Sequence, residues 1–338
     1  MVYDRMDDSP AFAGIPTFMR MPELRSDAEL RSERPDVVIV GAPTDAAVTH
    51  RPGARFGPRA IRGASNLRRG AHHLGLGVQP YKVLRVFDYG DAEVVPSDIE
   101  RTNAAIKAKV AEVCQAGALP FLLGGDHSIT YPSATAVAEA LGRGKLGIVH
   151  FDAHADTGND AWGVLLSHGT PVRRLIESGA VAGRSFVQVG LRGYWPPPDV
   201  FDWMRAQGMR WHTMADIERR GFDVVLAEAI AQALDGPEHI YLSVDVDVLD
   251  PAFAPGTGTP EPGGLSAREL LRAVRTVVSQ VELAGLDIVE VSPPYDAAGI
   301  TAEVAHRVVL EALSALAAKR ERAIDSAAQP EDNEVVNI

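Results

Sequence analysis

Asp152, His154 and Asp156 stand at every second position of the stretch His150-Phe151-Asp152-Ala153-His154-Ala155-Asp156, with alanines between. In extended backbone, residues i, i+2 and i+4 point to one side. The spacing aims two carboxylates and an imidazole at one small volume, where without a cation they would repel or strand one another. Asp245-Val246-Asp247 repeats the design with two carboxylates, and Gly124-Gly125-Asp126-His127 adds a second imidazole. Mixed carboxylate and imidazole ligands suit Mn²⁺, Fe²⁺, Ni²⁺ or Zn²⁺. His127, Asp152, His154, Asp156, Asp245 and Asp247 are too many for one ion unless carboxylates bridge two, so the residues point to a two-metal site.

Each motif follows an apolar run that reads as a strand: residues 119–123, 145–151 and 240–244. Ligands thus sit where strands run out, which is where open α/β sheets bind them. Further strands are expected at 36–40, 83–87, 186–189, 210–213 and 286–291. Helices are expected at 58–67, 97–115, 132–141, 172–178, 199–207, 222–234, 266–280 and 301–319, with Ser266 and Glu269 as a capping box. The alternation predicts a mostly parallel sheet covered by helices on both faces. Residues 44–56 and 157–169 are long loops of the kind that carry function. Gly142-Arg143-Gly144-Lys145-Leu146-Gly147 has the letters of a dinucleotide fingerprint but precedes a strand, so the required strand–turn–helix context is absent. His72 and His73 are adjacent and would not share a face, which favours a loop or surface role.

The length of 338 residues fits one large α/β domain, here 35–320, with an N-terminal arm over 1–34 and a charged tail over 321–338. Pro10, Pro16 and Pro22 suggest that the arm packs on a neighbouring subunit. A formal charge of -12 argues against nucleic acid and leaves a cationic substrate favoured. Cys114 alone cannot form an intrachain disulfide, which is consistent with a reducing compartment. No apolar run approaches membrane-spanning length, and residues 1–34 lack the apolar core of a signal peptide. A cytoplasmic location with no membrane partner is expected.

Gly124-Gly125-Asp126-His127, Asp152-Ala153-His154-Ala155-Asp156, Ser167-His168-Gly169-Thr170 and Asp245-Val246-Asp247-Val248-Leu249-Asp250-Pro251 occur in the order seen in ureohydrolases. From about residue 36 to 318 the chain resembles this superfamily, which includes arginases and agmatinases. The resemblance implies a three-layer α/β/α fold around an eight-stranded parallel sheet. It implies two Mn²⁺ ions, with Ni²⁺ or another divalent transition metal as alternatives. One ion would take His127, Asp152, Asp156 and Asp245, and the other Asp152, His154, Asp245 and Asp247. Water activated by the pair would attack a guanidinium carbon, with Asp156 orienting it. By the same resemblance His168 would pass a proton to the leaving amine, and Glu290 would pair with the guanidinium. A homo-oligomer, trimer or hexamer, is also implied.

Pro255-Gly256-Thr257-Gly258-Thr259-Pro260 and Val291-Ser292-Pro293-Pro294-Tyr295-Asp296 resemble the agmatinase and guanidino-acid hydrolase branch. Arginases usually follow the Gly-Leu-Arg turn with acidic residues, whereas Arg192 here precedes Gly193-Tyr194-Trp195. Agmatine is the substrate expected first, with putrescine and urea as products. 4-Guanidinobutyrate, 3-guanidinopropionate and the proclavaminate precursor are alternatives. Beyond Glu290 and His168, substrate contacts are expected from Asn159, Asp160, Trp162 and Arg192. A cationic tail would want Asp160, and an acidic tail Arg51, Arg55 or Arg192. Rival readings are a deacetylase-like zinc amidohydrolase and a non-catalytic subunit. The complete ligand set speaks against both.

Overall fold

Strands such as Val37-Val38-Ile39-Val40 carry no alternating polar residue, so they must be buried on both faces. The computed structural model describes residues 13–65 and 71–328. Its strands are β1 (Val37–Ala42), β2 (Val86–Asp91), β3 (Leu119–Gly124), β4 (Leu146–Phe151), β5 (Phe186–Leu191), β6 (Arg210–Thr213), β7 (His239–Asp245) and β8 (Glu282–Val289). They form one sheet in the order β2-β1-β3-β8-β7-β4-β5-β6. Every neighbouring pair is parallel.

The period of two along each strand divides the core. Val37 and Ile39 join one cluster, with Val225, Val274 and Val308 from the helices Phe222–Ala233, Ala267–Gln280 and Ile300–Ala328. Val38 and Val40 join the other, with Ile106, Val137 and Leu175 from Ile99–Gln115, Thr130–Leu141 and Pro171–Glu177. The result is the expected α/β/α sandwich. Ser266 and Glu269 do form a capping box. A second one, Thr213 with Asp216, opens a helix Met214–Arg220 that the sequence reading passed over.

Strand and helix ends shift by a few residues, β8 most of all: it spans Glu282–Val289 where 286–291 was expected, so Glu290 falls just past it. Three larger differences stand out. Pro80 opens a one-turn helix, Pro80–Val83, closed by the Leu84 amide on the Pro80 carbonyl (2.7 Å), so β2 starts only at Val86. The last helix does not stop at 319. It runs to Ala328, into the stretch expected as tail. Residues 329–338 lie outside the described residues, as do Pro10 and the expected helix end at Leu67.

The third difference concerns the arm. From Phe18 onward it is built into this chain's own core: Phe18, Met19, Met21, Leu24 and Leu30 are all buried. The Phe18 amide donates to Asp88 Oδ2 (2.8 Å), and the Leu24 amide to the Asp88 carbonyl (2.8 Å). Those apolar side chains give it more to gain from the core than from solvent. The Asp88 carboxylate also takes a bidentate pair from Arg62, with Nε at 2.8 Å and Nη2 at 2.9 Å. Both partners are buried. Arg62→Ala would leave that carboxylate uncompensated, so it is expected to cost about 3–5 kcal/mol of stability. Urea unfolding would read this, and a loss under about 1 kcal/mol would show the pair to be replaceable by water.

Candidate metal centre and active site

β3, β8, β7 and β4 are consecutive neighbours in the sheet. Their carboxyl ends therefore lie side by side; Asp245 is the last residue of β7, and His127, Glu290 and Asp152 come just after β3, β8 and β4. Gly125 permits close packing there: a Cβ on it would stand 2.4 Å from the carbonyls of Ala42 and Thr44. The loop after β1 consequently lies directly on the turn that carries His127. Asp126 fastens it, accepting from the Ala47 amide (3.1 Å).

The every-second-residue spacing works by a different geometry from the extended one expected. β4 ends at Phe151. Asp152 Oδ1 then accepts from the His154 amide (2.6 Å), and Asp156 has φ +50°. In the other motif Asp245 Oδ1 accepts from the Asp247 amide (2.8 Å). An Asp that captures the amide two residues on makes a turn. The first Asp of each motif thus bends its own loop with one oxygen and sends the other inward.

The inward oxygens meet His127. Its Nδ1 lies 3.1 Å from Asp152 Oδ2, 2.9 Å from Asp156 Oδ2 and 3.2 Å from Asp245 Oδ2. His154 Nδ1 lies 2.9 Å from Asp247 Oδ2 and 3.6 Å from Asp152 Oδ1. Asp152 belongs to both groups, as a bridging ligand should. His127 Nε2 sits 3.1 Å from Ser243 Oγ, whose own proton goes to Asp287 Oδ1 (2.7 Å). Nε2 is therefore the protonated nitrogen, and the Nδ1 lone pair faces three carboxylates. Both Nδ1 and Asp152 Oδ2 are buried without a hydrogen bond among the described residues. That arrangement requires a cation, and its mix of oxygen and imidazole donors fits a divalent transition metal.

The electrostatics say the same. Burial works against the His127 cation, but Asp152, Asp156 and Asp245 outweigh it and raise the imidazole well above its usual range. Burial opposes the His154 cation too, yet Asp247 and Asp152 push it up to about 12. Burial, then Asp247 and Asp152, drive the Asp245 carboxyl well up, while the three nearby imidazoles overcome burial and hold Asp152 well down. Carboxylates packed this closely favour added positive charge between them.

Glu290 and His168 form the second half of the site. Glu290, at φ +63°, accepts on Oε1 from the His127 amide (2.9 Å) and from His168 Nδ1 (3.0 Å). Its Oε2 is buried and has no hydrogen-bond partner among the described residues. Gly258 leaves room beside it, since a Cβ there would come within 3.3 Å of Oε2. His168 is buried, at 8% exposure, and its amide donates to the Ala47 carbonyl (3.1 Å). Burial lowers its pKa, but Glu290, Asp156 and Asp126 raise it to about 9.

A cavity of about 550 Å³ is lined by His154, Asp156, Asp245, Asp247 and His168, with Glu290 bonded to His168 but outside the lining itself. Asp160, Trp162 and Trp195 also line it. Two expected substrate contacts are engaged elsewhere. Arg192 spends its guanidinium on the main-chain carbonyls of Gly190, Asp247, Val248, Leu249, Glu261 and Pro262, so it clamps two loops. Asn159 does not line the cavity: it accepts from Arg173 (3.1 Å) and donates to Asp160 (2.9 Å), so it braces a lining residue from behind. His73 is likewise remote, paired with Glu311 (3.0 Å).

Several residues escaped the sequence reading. His150 Nε2 lies 3.1 Å from Asp152 Oδ2, and its Nδ1 meets Gln188 (3.0 Å). Asp287 is fully buried and receives the hydroxyls of Thr130, Tyr241 and Ser243. A carboxylate in the middle of the apolar run 286–291 was the available signal. Thr49, whose amide (3.1 Å) and Oγ1 (2.7 Å) meet His168 Nε2, had no such signal, because its loop has no periodicity.

Residues 35–315 match the Arginase family. The guanidinopropionase of Pseudomonas aeruginosa is 45% identical over 313 residues, covering 91% of this chain and 93% of that one. The solved proclavaminate amidino hydrolase of Streptomyces clavuligerus superposes with a TM-score of 0.83 at 38% identity, over 92% of this chain and 100% of that one. A hypothetical agmatinase from Burkholderia thailandensis gives 0.82 at 36% identity, over 93% and 94% of the two chains.

Proposed function

The chain belongs to the arginase family, in its agmatinase and guanidino-acid hydrolase branch, and on that premise we propose that it hydrolyses agmatine to putrescine and urea at two manganese ions. The observation that carries the reading is Glu290: one oxygen is committed to His127 and His168, and the other is buried without a partner among the described residues. A planar cation with several N–H donors is the natural partner for such an oxygen. His127, Asp152, Asp156 and Asp245 would hold one ion, and Asp152, His154, Asp245 and Asp247 the other. When bound, two divalent ions supply a nucleophile by making a shared water acidic near neutral pH. The side chains do the rest. Glu290 orients the guanidinium and keeps water off its inner edge. His168, hydrogen-bonded to the same carboxylate, holds a proton for the leaving amine.

The cavity's charges support agmatine among the guanidines. Besides the proposed ligands and His168, its ionisable lining residue is Asp160, and no Lys or Arg lines it among the described residues. Arg55 is paired with Asp45, and Arg51 stacks on Tyr295. A substrate ending in an ammonium would meet a complementary carboxylate. A second reading, hydrolysis of 3-guanidinopropionate, is favoured by the Pseudomonas aeruginosa relative. Urea release by the Mn²⁺-loaded protein separates them. kcat/KM for agmatine is expected to exceed that for 3-guanidinopropionate and 4-guanidinobutyrate by about tenfold or more, the scale of one well-placed charge contact. Preference for an acid would replace the first reading with the second. No urea from any guanidine would dismiss both.

A further inference from the structure

We propose that Thr49 is the positioning residue and proton relay of His168, the group through which the buried imidazole exchanges its proton with solvent. This rests on the reading of His168 as proton donor to the leaving amine. Thr49 meets His168 Nε2 with two atoms: its amide nitrogen at 3.1 Å and its Oγ1 at 2.7 Å. Its residue is exposed, whereas His168 is buried, so the hydroxyl stands between the ring and water. Thr49 also lines the cavity.

The two contacts are not equivalent. A main-chain N–H can only donate, so it is satisfied only by a neutral ring whose Nε2 carries a lone pair. A hydroxyl can donate to that lone pair or accept from Nε2–H. Oγ1 is therefore the atom that suits both protonation states, while the amide suits one. On the other side of the ring Glu290 Oε1 holds Nδ1–H in either state. The imidazole is thus fixed at Nδ1, and Nε2 is the nitrogen free to gain and lose a proton. The charged groups acting on the ring are Glu290, Asp156 and Asp126, all of which favour the cation, and burial opposes it. Divalent ions beside Asp156 would weaken that bias and make both states accessible.

The protons balance. His168 gives its Nε2 proton to the departing amine. Thr49 gives its hydroxyl proton to Nε2 and takes one from a buffer acid at the cavity mouth. The water oxygen bonds to the guanidinium carbon as one of its protons leaves to solvent. The C–N bond to the amine breaks as that nitrogen takes the His168 proton. The remaining water proton passes from the new C–OH to the amine, so guanidinium and water become ammonium and urea with no net change.

Thr49→Val keeps the amide and the shape and removes the hydroxyl. In the full-length Mn²⁺-loaded protein, its kcat is expected to fall about 10- to 100-fold, at or below the low end for losing a general acid outright. KM and metal content are expected to stay as in the wild type. Small tertiary amines that bind metals weakly, such as N-methylmorpholine, should raise the variant's kcat in proportion to their concentration and leave the wild type unaffected. Thr49→Ser, which restores the hydroxyl, should recover most of the kcat lost in Thr49→Val. A Thr49→Val enzyme as fast as the wild type overturns the relay alone. So does a slow one that no buffer acid restores, which would mark Thr49 as structural. A wild-type protein that releases no urea overturns the proposed reaction, and the relay with it.

Discussion

Asp152→Asn is expected to strip both metal ions and lower turnover by at least about a thousandfold, the scale of losing several kcal/mol of metal-ion catalysis. The reason lies in the division of labour between its two oxygens. Oδ1 captures the His154 amide, and an asparagine carbonyl can do the same, so the loop should keep its bend. Oδ2 faces His127 Nδ1 and His150 Nε2 at 3.1 Å each. An amide there brings N–H donors where a lone pair is needed and removes a charge that both ligand groups share. The variant should therefore fold with little change in circular dichroism and yet hold neither ion. His154→Ala is the contrast, since it touches only the group with Asp247 and should release one ion. Elemental analysis after Mn²⁺ loading reads both. An Asp152→Asn protein that kept two ions and came within tenfold of wild-type turnover would remove Asp152 as the bridge.

His168→Ala should produce the second largest effect without disturbing the metals. His168 touches Glu290, Thr49 and Ala47, and none of the proposed ligands by hydrogen bond. Turnover is expected to fall by about two to four orders of magnitude with two ions retained and KM little changed. The pH dependence adds a check with a definite sign. His168 is raised to about 9, so it keeps its proton through neutrality and loses it as pH climbs through the folded value. The fall of kcat on the alkaline side should therefore vanish in the variant, and in the loaded wild type it should lie below 9 because the ions offset Asp156. Glu290→Gln should differ in kind, damaging both KM and kcat, because that carboxylate meets the substrate's own charge. Unchanged turnover in His168→Ala would leave solvent as the proton donor.

Much of this was legible before any coordinates. Apolar runs of six or so residues ending in Asp or His marked strands buried on both faces with chemistry at their tips, and alternation with helices marked the parallel sheet. What failed was local. The Asp-x-His spacing looked extended because side-chain period alone says nothing of an Asx turn, in which the side chain itself bends the backbone. The run at 83–87 lost its start to Pro80, whose fixed φ favoured a helical turn. Arg192 stood in a plausible loop, but six carbonyls claimed it, and carbonyl geometry has no signature in residue types. Thr49 and Asp287 act through hydrogen bonds to residues more than 40 positions away, which no spacing rule reaches.

β3 and β4 carry most of the proposed ligands and never touch, because β8 and β7 lie between them. Those two inner strands are also the last of the sheet to leave a ribosome. A nascent chain that ends before residue 239 can pair β2-β1-β3 and β4-β5-β6 only as two separate half-sheets, each with an open inner edge. Open edges recruit foreign strands. His127 then rides on one half and Asp152 on the other, so no ion can bridge them and none can protect the intermediate. The interval between β6 and β8 is thus the stretch of synthesis in which two sheet edges stand unpaired at once.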